Sequence, residues 1–473
     1  MILAKRSISR KQISLVLADL IILAIVPFIT LYIYFFIKVG FNFKFQYLRF
    51  EHFYYFSNLF IFIVVFYVMD LHNFKKNFAT KREVFNILLA ICFAWILSIF
   101  FFYLTGNPPL GRGISLIYLT SLFILIVCCR LIYSKVAVSG FYRKKAIIVG
   151  ANHGGEAVAK LIKINPQLNI DILCLLEIDR QKEGKRICDA PVVCQEDSLF
   201  ESVSKYKPDL IILSMRRSRY EKIIKDLILC SQQGVQIMDI TSLYEEVAGK
   251  IPLKYVSDLW VLFSHMNQSK FYFKRVKRLV DIASSSILLI LTSPIMLLTA
   301  LTVKLDSDGP VFYRQKRVGK DGVDFELIKF RSMINDAEKE SGAVWVNERD
   351  PRITRCGRII RPLRIDELPQ LFNVLKGEMS IVGPRPERPE FVGNFLGRNG
   401  NNKDVIPYYG DRLTVKPGLT GWAQVVYPYA SSYEETLEKL EYDLYYIKNM
   451  SFLLDLAIIL KTIRVVLCGS GAR

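Results

Sequence analysis

Asp366 and Glu367 are adjacent acids set among cations at a regular spacing. Arg349, Arg352, Arg355, Arg358, Arg361 and Arg364 recur at every third position upstream, and Arg385 lies downstream between the prolines of Val382-Gly383-Pro384-Arg385-Pro386. A guanidinium presents a planar fork of donors suited to phosphate oxygens, and flanking prolines reduce the entropy lost when it binds. The pattern points to a phosphate-bearing substrate held by Arg385 first and by Arg361 or Arg364 next. The remaining arginines read as a solvated face. The last of the four histidines is His265, so chemistry beyond it rests on carboxylates, Lys, Arg or a bound ion. The nine cysteines are scattered without a CxxC pair and suggest neither a disulfide framework nor a zinc site.

The local sequence positions the acids. Leu368, Leu371, Phe372 and Leu375 share one helical face, and Gly377 marks a stop. A helix is expected to begin with Asp366 as its N-cap and Pro369 in its first turn, where a missing amide hydrogen costs little. For Asp366 alone, a structural cap worth roughly 1 kcal/mol explains the residue as well as chemistry does.

Of the 473 residues, 52% are hydrophobic, and mean hydropathy is positive, so the chain has more apolar surface than a soluble core needs and part of it belongs in lipid. The formal charge of +19 fits anionic headgroups and phosphate-bearing substrates; no recognition motif supports nucleic acid. Apolar runs at about residues 13 to 37, 53 to 71, 84 to 104 and 114 to 134 each approach the roughly 20 residues a membrane-crossing helix needs. Basic clusters at Lys5, Arg6, Arg10 and Lys11, at Lys75, Lys76, Lys81 and Arg82, and at Arg143 to Lys145 place both ends of this bundle in the cytoplasm. No cleaved signal peptide is expected, since the first run is too long and no small-residue cleavage site follows it.

From about residue 143 to 262, short β-branched runs alternate with helix-like polar stretches, which predicts a parallel α/β domain. Its first strand runs into Gly150-Ala-Asn152-His-Gly-Gly155, similar to a dinucleotide-binding turn but with Asn152 in place of the glycine that lets backbone approach a pyrophosphate. A Rossmann-like structural or regulatory module is the preferred reading. Glu177 and Asp179 fall where a ribose would sit, or are ordinary strand ends. Farther on, the apolar stretch from Leu279 to Leu305 is interrupted by Ser293-Pro294 and flanked by cations on both sides, including Lys274, Arg275, Lys277, Arg278, Lys304 and Arg314. A helix that enters from the cytoplasmic face, breaks at Pro294 and returns satisfies the charge rule better than a full span. Residues from Phe452 to Leu467 read as an amphipathic interfacial helix or as an ordinary core helix.

Seven motifs then occur in order: Gln315-Lys-Arg317-Val-Gly319-Lys-Asp-Gly322, Lys329-Phe-Arg331-Ser-Met333, Asp350-Pro-Arg352-Ile-Thr354, Asp366-Glu367-Leu-Pro-Gln370, Gly383-Pro-Arg385-Pro386, Lys416-Pro-Gly418-Leu-Thr420-Gly-Trp422-Ala-Gln424 and Tyr442-Asp443-Leu-Tyr-Tyr446-Ile-Lys-Asn449. Together they resemble the bacterial sugar transferase family, the polyprenyl-phosphate hexose-1-phosphate transferases that begin exopolysaccharide, capsule and O-antigen synthesis. The resemblance covers about residues 270 to 470, and the preceding bundle and Rossmann-like domain resemble the family's long form.

The resemblance implies a multidomain membrane protein. It has a four-helix transmembrane bundle over 1–140, an α/β Rossmann-like domain over 141–265, and an α+β catalytic domain over 266–473. The last contains a re-entrant membrane helix at about 276–304, with Ser293 and Pro294 at its break, and an amphipathic helix at about 452–468. It also implies that Asp366 is the nucleophile that takes a sugar phosphate from UDP-hexose, releasing UMP, and passes it to undecaprenyl phosphate. A carboxylate ionised at neutral pH needs no histidine for this. Glu367 is implied to help hold Mg²⁺, Lys329 and Arg331 to support the phosphate site or to be a lysine and arginine on an ordinary strand, and Asp443 to be an acidic site position or a structural one. Membrane lipids, downstream glycosyltransferases and a second copy of the chain in a homodimer are the implied partners, and the bacterial inner membrane is the implied location. Many members continue Trp-Ala-Gln-Val with Asn-Gly-Arg, whereas here Val425 is followed by Val426-Tyr427-Pro428-Tyr429, so glucose or galactose is only a working choice of hexose.

Two other readings compete. A membrane-anchored NAD-dependent dehydratase needs a Tyr followed four residues later by Lys, which Tyr206, Tyr220, Tyr244 and Tyr255 all lack. A non-enzymatic membrane scaffold with a nucleotide-sensing domain explains the bundle but not the clustered acids, arginines and prolines.

Overall fold

The computed structural model describes residues 10–39, 52–69, 71–72, 78, 80–105, 112–138, 143–177, 183–194, 198–214, 220–256, 276–334, 350, 352–398, 405–427 and 433–467. Lys5, Arg6, Lys75, Lys76, Asp179, Lys274, Arg275, Arg349, Pro428 and Tyr429, all named above, lie outside these residues. Two compact units, Met1–Leu243 and Tyr244–Arg473, make up the chain. Their junction precedes the 265/266 boundary expected from sequence because Ile251 belongs to the C-terminal core and Leu253 and Val256 pack on it.

In the first unit, α1 (Arg10–Val39), α2 (His52–Val68), α3 (Lys81–Leu104) and α4 (Arg112–Val138) follow the four apolar runs. Leu23, Val26, Phe62, Phe66, Ile91 and Leu122 are buried between them, yet Ile21, Phe28, Phe60, Phe100 and Ile124 stay exposed. A helix apolar on all sides belongs in lipid. Ser14–Tyr34, Glu83–Leu104 and Gly113–Tyr133 are long and apolar enough to cross a membrane; α2 is shorter, with an apolar segment Asn58–Val68. Asp19, buried in this bundle, accepts from Arg130 Nη2 at 2.6 Å and has His72 Nε2 at 2.9 Å.

A six-stranded sheet completes this unit in the order β3-β4-β2-β1-β5-β6. β1 (Lys144–Val149), β2 (Ile170–Glu177), β5 (Leu210–Leu213) and β6 (Gln236–Asp239) match the expected runs. They are parallel, as is β4 (Ala190–Cys194) beside β2, while β3 (Arg186–Ile187) is antiparallel to β4. The sequence gives no sign of β3 and β4, which are short, the second containing Pro191. The helices are α5 (His153–Ile164), α6 (Leu199–Tyr206), α7 (Tyr220–Gln232) and α8 (Ile240–Ala248), the last running into the second unit.

The second unit begins around α9 (Lys277–Asp306), a 30-residue helix with Pro294 inside it. Helical structure continues through the proline, so what the sequence reads as a break lies within one helix. Proline deprives the carbonyl four residues earlier of its donor, and the Ser293 hydroxyl replaces it, donating to Ile290 O at 2.8 Å. Ile287, Ile290, Leu291, Leu297 and Leu298 in the middle of α9 are exposed. Around α9 lie a hairpin of β7 (Phe312–Val318) and β8 (Asp324–Phe330), α10 (Arg355–Ile360), α11 (Gln370–Lys376) and the parallel pair β9 (Ser380–Val382) and β10 (Gly418–Thr420). α12 (Pro389–Phe395), α13 (Trp422–Val426), α14 (Tyr433–Asn449) and α15 (Phe452–Leu467) complete the unit, whose core includes Val374, Met379, Val382, Tyr409, Leu440, Tyr446 and Ile458.

Both ends of α9 are tied to this unit. At its start Lys277 Nζ meets Asp455 Oδ2 at 2.6 Å, Arg278 donates to Val374 O and Leu375 O at 2.6 and 2.7 Å, and Asp281 accepts from Ser380 Oγ at 2.9 Å and Ile381 N at 3.0 Å. At its end Asp306 accepts from Cys356 N at 2.8 Å. α15 is amphipathic in an inverted sense: Asp455 is buried against Lys277, and Phe452, Leu453, Leu456 and Ile463 face outward.

Candidate active site

The two acids lie in a 3₁₀ turn, Ile365–Glu367, rather than at the start of the expected helix, since α11 begins only after Pro369. Arg364 opens the turn with φ 56°, in the left-handed region. Asp366 therefore caps nothing, and among the described residues its carboxylate makes no hydrogen bond although it is only 9% exposed. Gly377, with φ 93°, ends α11 as the sequence predicts.

Glu367 is held where Asp366 is not. Arg364 Nη1 and Arg385 Nη2 both donate to its Oε1, at 3.1 and 3.0 Å. Burial alone would raise the Glu367 pKa, but Arg385 and Arg364 overcome it and hold the group well below the usual carboxylate range. Burial raises Asp366 instead, the Glu367 charge raises it further, and Lys329, Arg364 and Arg361 offset only part of this. This environment disfavours the ionised form of Asp366 relative to the free carboxylate expected from sequence. The Lys329 ammonium is 5.0 Å from the centre of the Tyr313 ring and is brought down to about 8, by burial first and the Arg317 charge next.

Arg385 owes its place to a buried scaffold. Gly383 N donates to Thr420 O at 2.9 Å and Gly418 N to Pro384 O at 2.8 Å, and a Cβ on Gly383 would lie 2.4 Å from Lys416 O, so backbone meets backbone here. Arg412 Nη2 donates to Arg385 O at 2.7 Å, and Arg317 Nη1 to Pro386 O at 3.2 Å. Arg412 also binds Tyr409 OH and Asp443 Oδ2, each at 2.8 Å, while Lys439 meets Glu387 Oε1 at 2.6 Å. Asp443 is only 1% exposed. It supports Arg412, which in turn holds the Arg385 carbonyl.

The structure thus brings together Asp366, Glu367, Lys329, Arg361, Arg364 and Arg385. It does not bring Arg331, whose guanidinium is turned to the end of α9, donating to Ser307 O at 2.6 Å, Val303 O at 3.3 Å and Asp308 O. A buried arginine finds its strongest acceptors there, in the carbonyls a helix end leaves unpaired. Sequence reading also missed Arg412, Glu387 and Lys439 and gave Arg317 no role. No spacing marks them, because the partners lie far apart along the chain.

As for a metal, no cluster of three or more His, Cys, Asp or Glu side chains forms among the described residues. The donor set is the adjacent pair Asp366 and Glu367, and Glu367 Oε2 takes no hydrogen bond among those residues. That suits Mg²⁺, which keeps several waters and binds through one or two carboxylates plus substrate phosphates.

Residues 272–469 match the model of the Bacterial sugar transferase family, and residues 74–240 match a model described as a CoA-binding domain. The UDP-glucose:undecaprenyl-phosphate glucose-1-phosphate transferase of Klebsiella pneumoniae is 32% identical over 408 residues, 80% of this chain and 81% of that one. The chain belongs to the bacterial sugar transferase family. The UDP-galactose-lipid carrier transferase of Erwinia amylovora, another relative, is 30% identical over 354 residues, 70% of each chain. The UDP-N-acetylgalactosamine-undecaprenyl-phosphate N-acetylgalactosaminephosphotransferase of Aeromonas hydrophila is 41% identical over 280 residues, 56% of this chain and 62% of that one, less than two thirds of its length. The sugar transferase match contains every residue of the site and its supporting network.

Proposed function

We propose that this chain is a membrane phosphoglycosyltransferase that moves a sugar 1-phosphate from a UDP-sugar to undecaprenyl phosphate. The observation that carries the reading is Asp366, a buried carboxylate with no hydrogen bond among the described residues, beside a clamped Glu367 and among Lys329, Arg361 and Arg364. A carboxylate so enclosed is poorly solvated and, once ionised, more basic than one in water, which favours attack on phosphorus. An Asp366 oxygen bonds to the sugar-bearing phosphorus as the bond from that phosphorus to the bridging oxygen breaks, and UMP leaves with the electron pair. An oxygen of undecaprenyl phosphate then attacks the same phosphorus and releases the Asp366 carboxylate. Lys329, Arg361 and Arg385 neutralise the phosphate charge in both steps. Glu367, together with the substrate pyrophosphate, would hold Mg²⁺, which supplies further charge neutralisation when bound.

The site must also meet lipid. α9 and α15 present apolar outer faces, and both ends of α9 return to the same unit, which supports a re-entrant helix with the catalytic and sheet domains on the cytoplasmic side of the inner membrane. Downstream glycosyltransferases would extend the product, and a homodimer belongs to the same reading. Of the three relatives above, the Aeromonas one, 41% identical, is named for N-acetylgalactosamine, and those named for glucose and galactose are 32% and 30% identical. UDP-N-acetylhexosamines are therefore the first sugars to test, ahead of the glucose or galactose chosen from sequence.

The test is UMP release by purified protein with a panel of UDP-sugars, undecaprenyl phosphate and Mg²⁺, alongside Asp366→Asn. Release is expected with one sugar class and absent in the variant. Undiminished turnover without the carboxylate would remove Asp366 from the nucleophile role.

A further inference from the structure

The description of residues 74–240 as a CoA-binding domain implies a ligand at the turn between β1 and α5, where a doubly wound sheet holds a pyrophosphate. The turn keeps what the fold needs. Gly150 has φ 108°, and Gly155 packs so closely that a Cβ would lie 2.1 Å from Gly150 O. It lacks what the ligand needs. Asn152 stands at the middle position, and its Oδ1 accepts from Gly154 N at 2.9 Å and Gly155 N at 3.1 Å, the amides that open α5.

Among the described residues, other polar side chains along the sheet's carboxyl edge are turned to backbone in the same way. Glu177, 5% exposed at the end of β2, accepts from Ala151 N at 2.9 Å, although an acid in this place would otherwise meet a ribose. Ser214, after β5, donates to Val149 O and Gly150 O at 2.9 and 2.7 Å. Asp239, ending β6, accepts from Ser242 N at 3.0 Å. Each of these polar side chains is engaged with the protein's own backbone. We propose that the sheet domain is self-liganded: Asn152 and Glu177 occupy the donors that a pyrophosphate would use, so the domain takes neither CoA nor a dinucleotide at this turn.

The test uses the full chain in nanodiscs, with excess UDP to block the transferase site. Equilibrium dialysis against CoA, NAD⁺ and NADH up to about 1 mM is paired with amide hydrogen exchange over residues 150–156. No saturable uptake is expected, and any uptake that leaves these amides unprotected lies elsewhere and agrees with a closed turn. Saturable uptake that protects them would overturn the proposal. Asn152→Ala removes a cap worth about 1 kcal/mol, so the Gly154 and Gly155 amides should exchange roughly fivefold faster. Unchanged exchange in that variant would also overturn it, by showing that the side chain is not the latch.

Discussion

Arg385 Nη2 lies 3.0 Å from Glu367 Oε1, the same oxygen that Arg364 reaches at 3.1 Å. Two guanidinium groups on one carboxylate oxygen keep Glu367 charged in a buried place, and that charge helps raise its neighbour Asp366. Arg385 therefore sets the electrostatics of the acid pair as well as offering charge to phosphate. Lysine keeps the charge but lacks the planar fork, so Arg385→Lys should lower kcat for UMP release by roughly 10²-fold. Full turnover in that variant would mean that a point charge suffices and that the clamp on Glu367 has no catalytic consequence.

Lys329 gives the reaction an alkaline limit. Its pKa is lowered to about 8, so the cation is present below that value and lost as pH rises through it. UMP release should fall over this range. Arginine stays charged throughout, so Lys329→Arg should carry the plateau to higher pH even if its maximum is reduced. Superimposable alkaline limbs for the two proteins would exclude Lys329 from the charge balance.

Asp366 predicts a trade between stability and activity. Its folded pKa is raised by burial and by Glu367. The folded protein thus bears little cost below the ordinary carboxylate range and an increasing one as pH rises from about 4 towards neutrality. Asp366→Asn removes the ionisation, so the inactive variant should melt roughly 5 °C above the parent at about pH 8, with the difference gone by about pH 4. A variant that melts lower at pH 8 would show that the charged carboxylate stabilises its surroundings.

The legible parts of this molecule are those governed by local rules. Apolar runs gave the bundle, β-branched runs gave β1, β2, β5 and β6, and Gly377 ended its helix. Arg385 stood out through its two prolines. What failed depended on neighbours distant in sequence. Asp366 looked like a cap, but Arg364 in the left-handed region makes a tighter turn that frees its carboxylate. Arg331 shared a motif with Lys329, yet it lies just past the end of β8 and turns to carbonyls at the end of α9. Asp443 and Arg412 meet at 2.8 Å across 31 residues, a pairing that no spacing along the chain announces.

α9 carries the prediction that most directly joins fold to function. A straight 30-residue helix is about 45 Å long, more than a hydrocarbon core of about 30 Å requires. Yet Lys277 and Arg278 at one end and Asp306 at the other bind the same unit, which fits the proposed re-entrant helix better than a crossing one. Ser293 and Pro294 make a bend tolerable by satisfying Ile290 O through a hydroxyl. Lys254→Cys and Asp308→Cys, in a chain otherwise free of cysteine, should both react with an impermeant maleimide in inside-out vesicles and in neither case in right-side-out ones. Replacing the proline, as in Pro294→Leu, restores the amide donor and favours a straight helix, so it should reduce turnover with the membrane-embedded carrier. Labelling of Asp308→Cys from the outer face would establish a crossing helix and separate the catalytic unit from the surface on which its lipid substrate presents a phosphate.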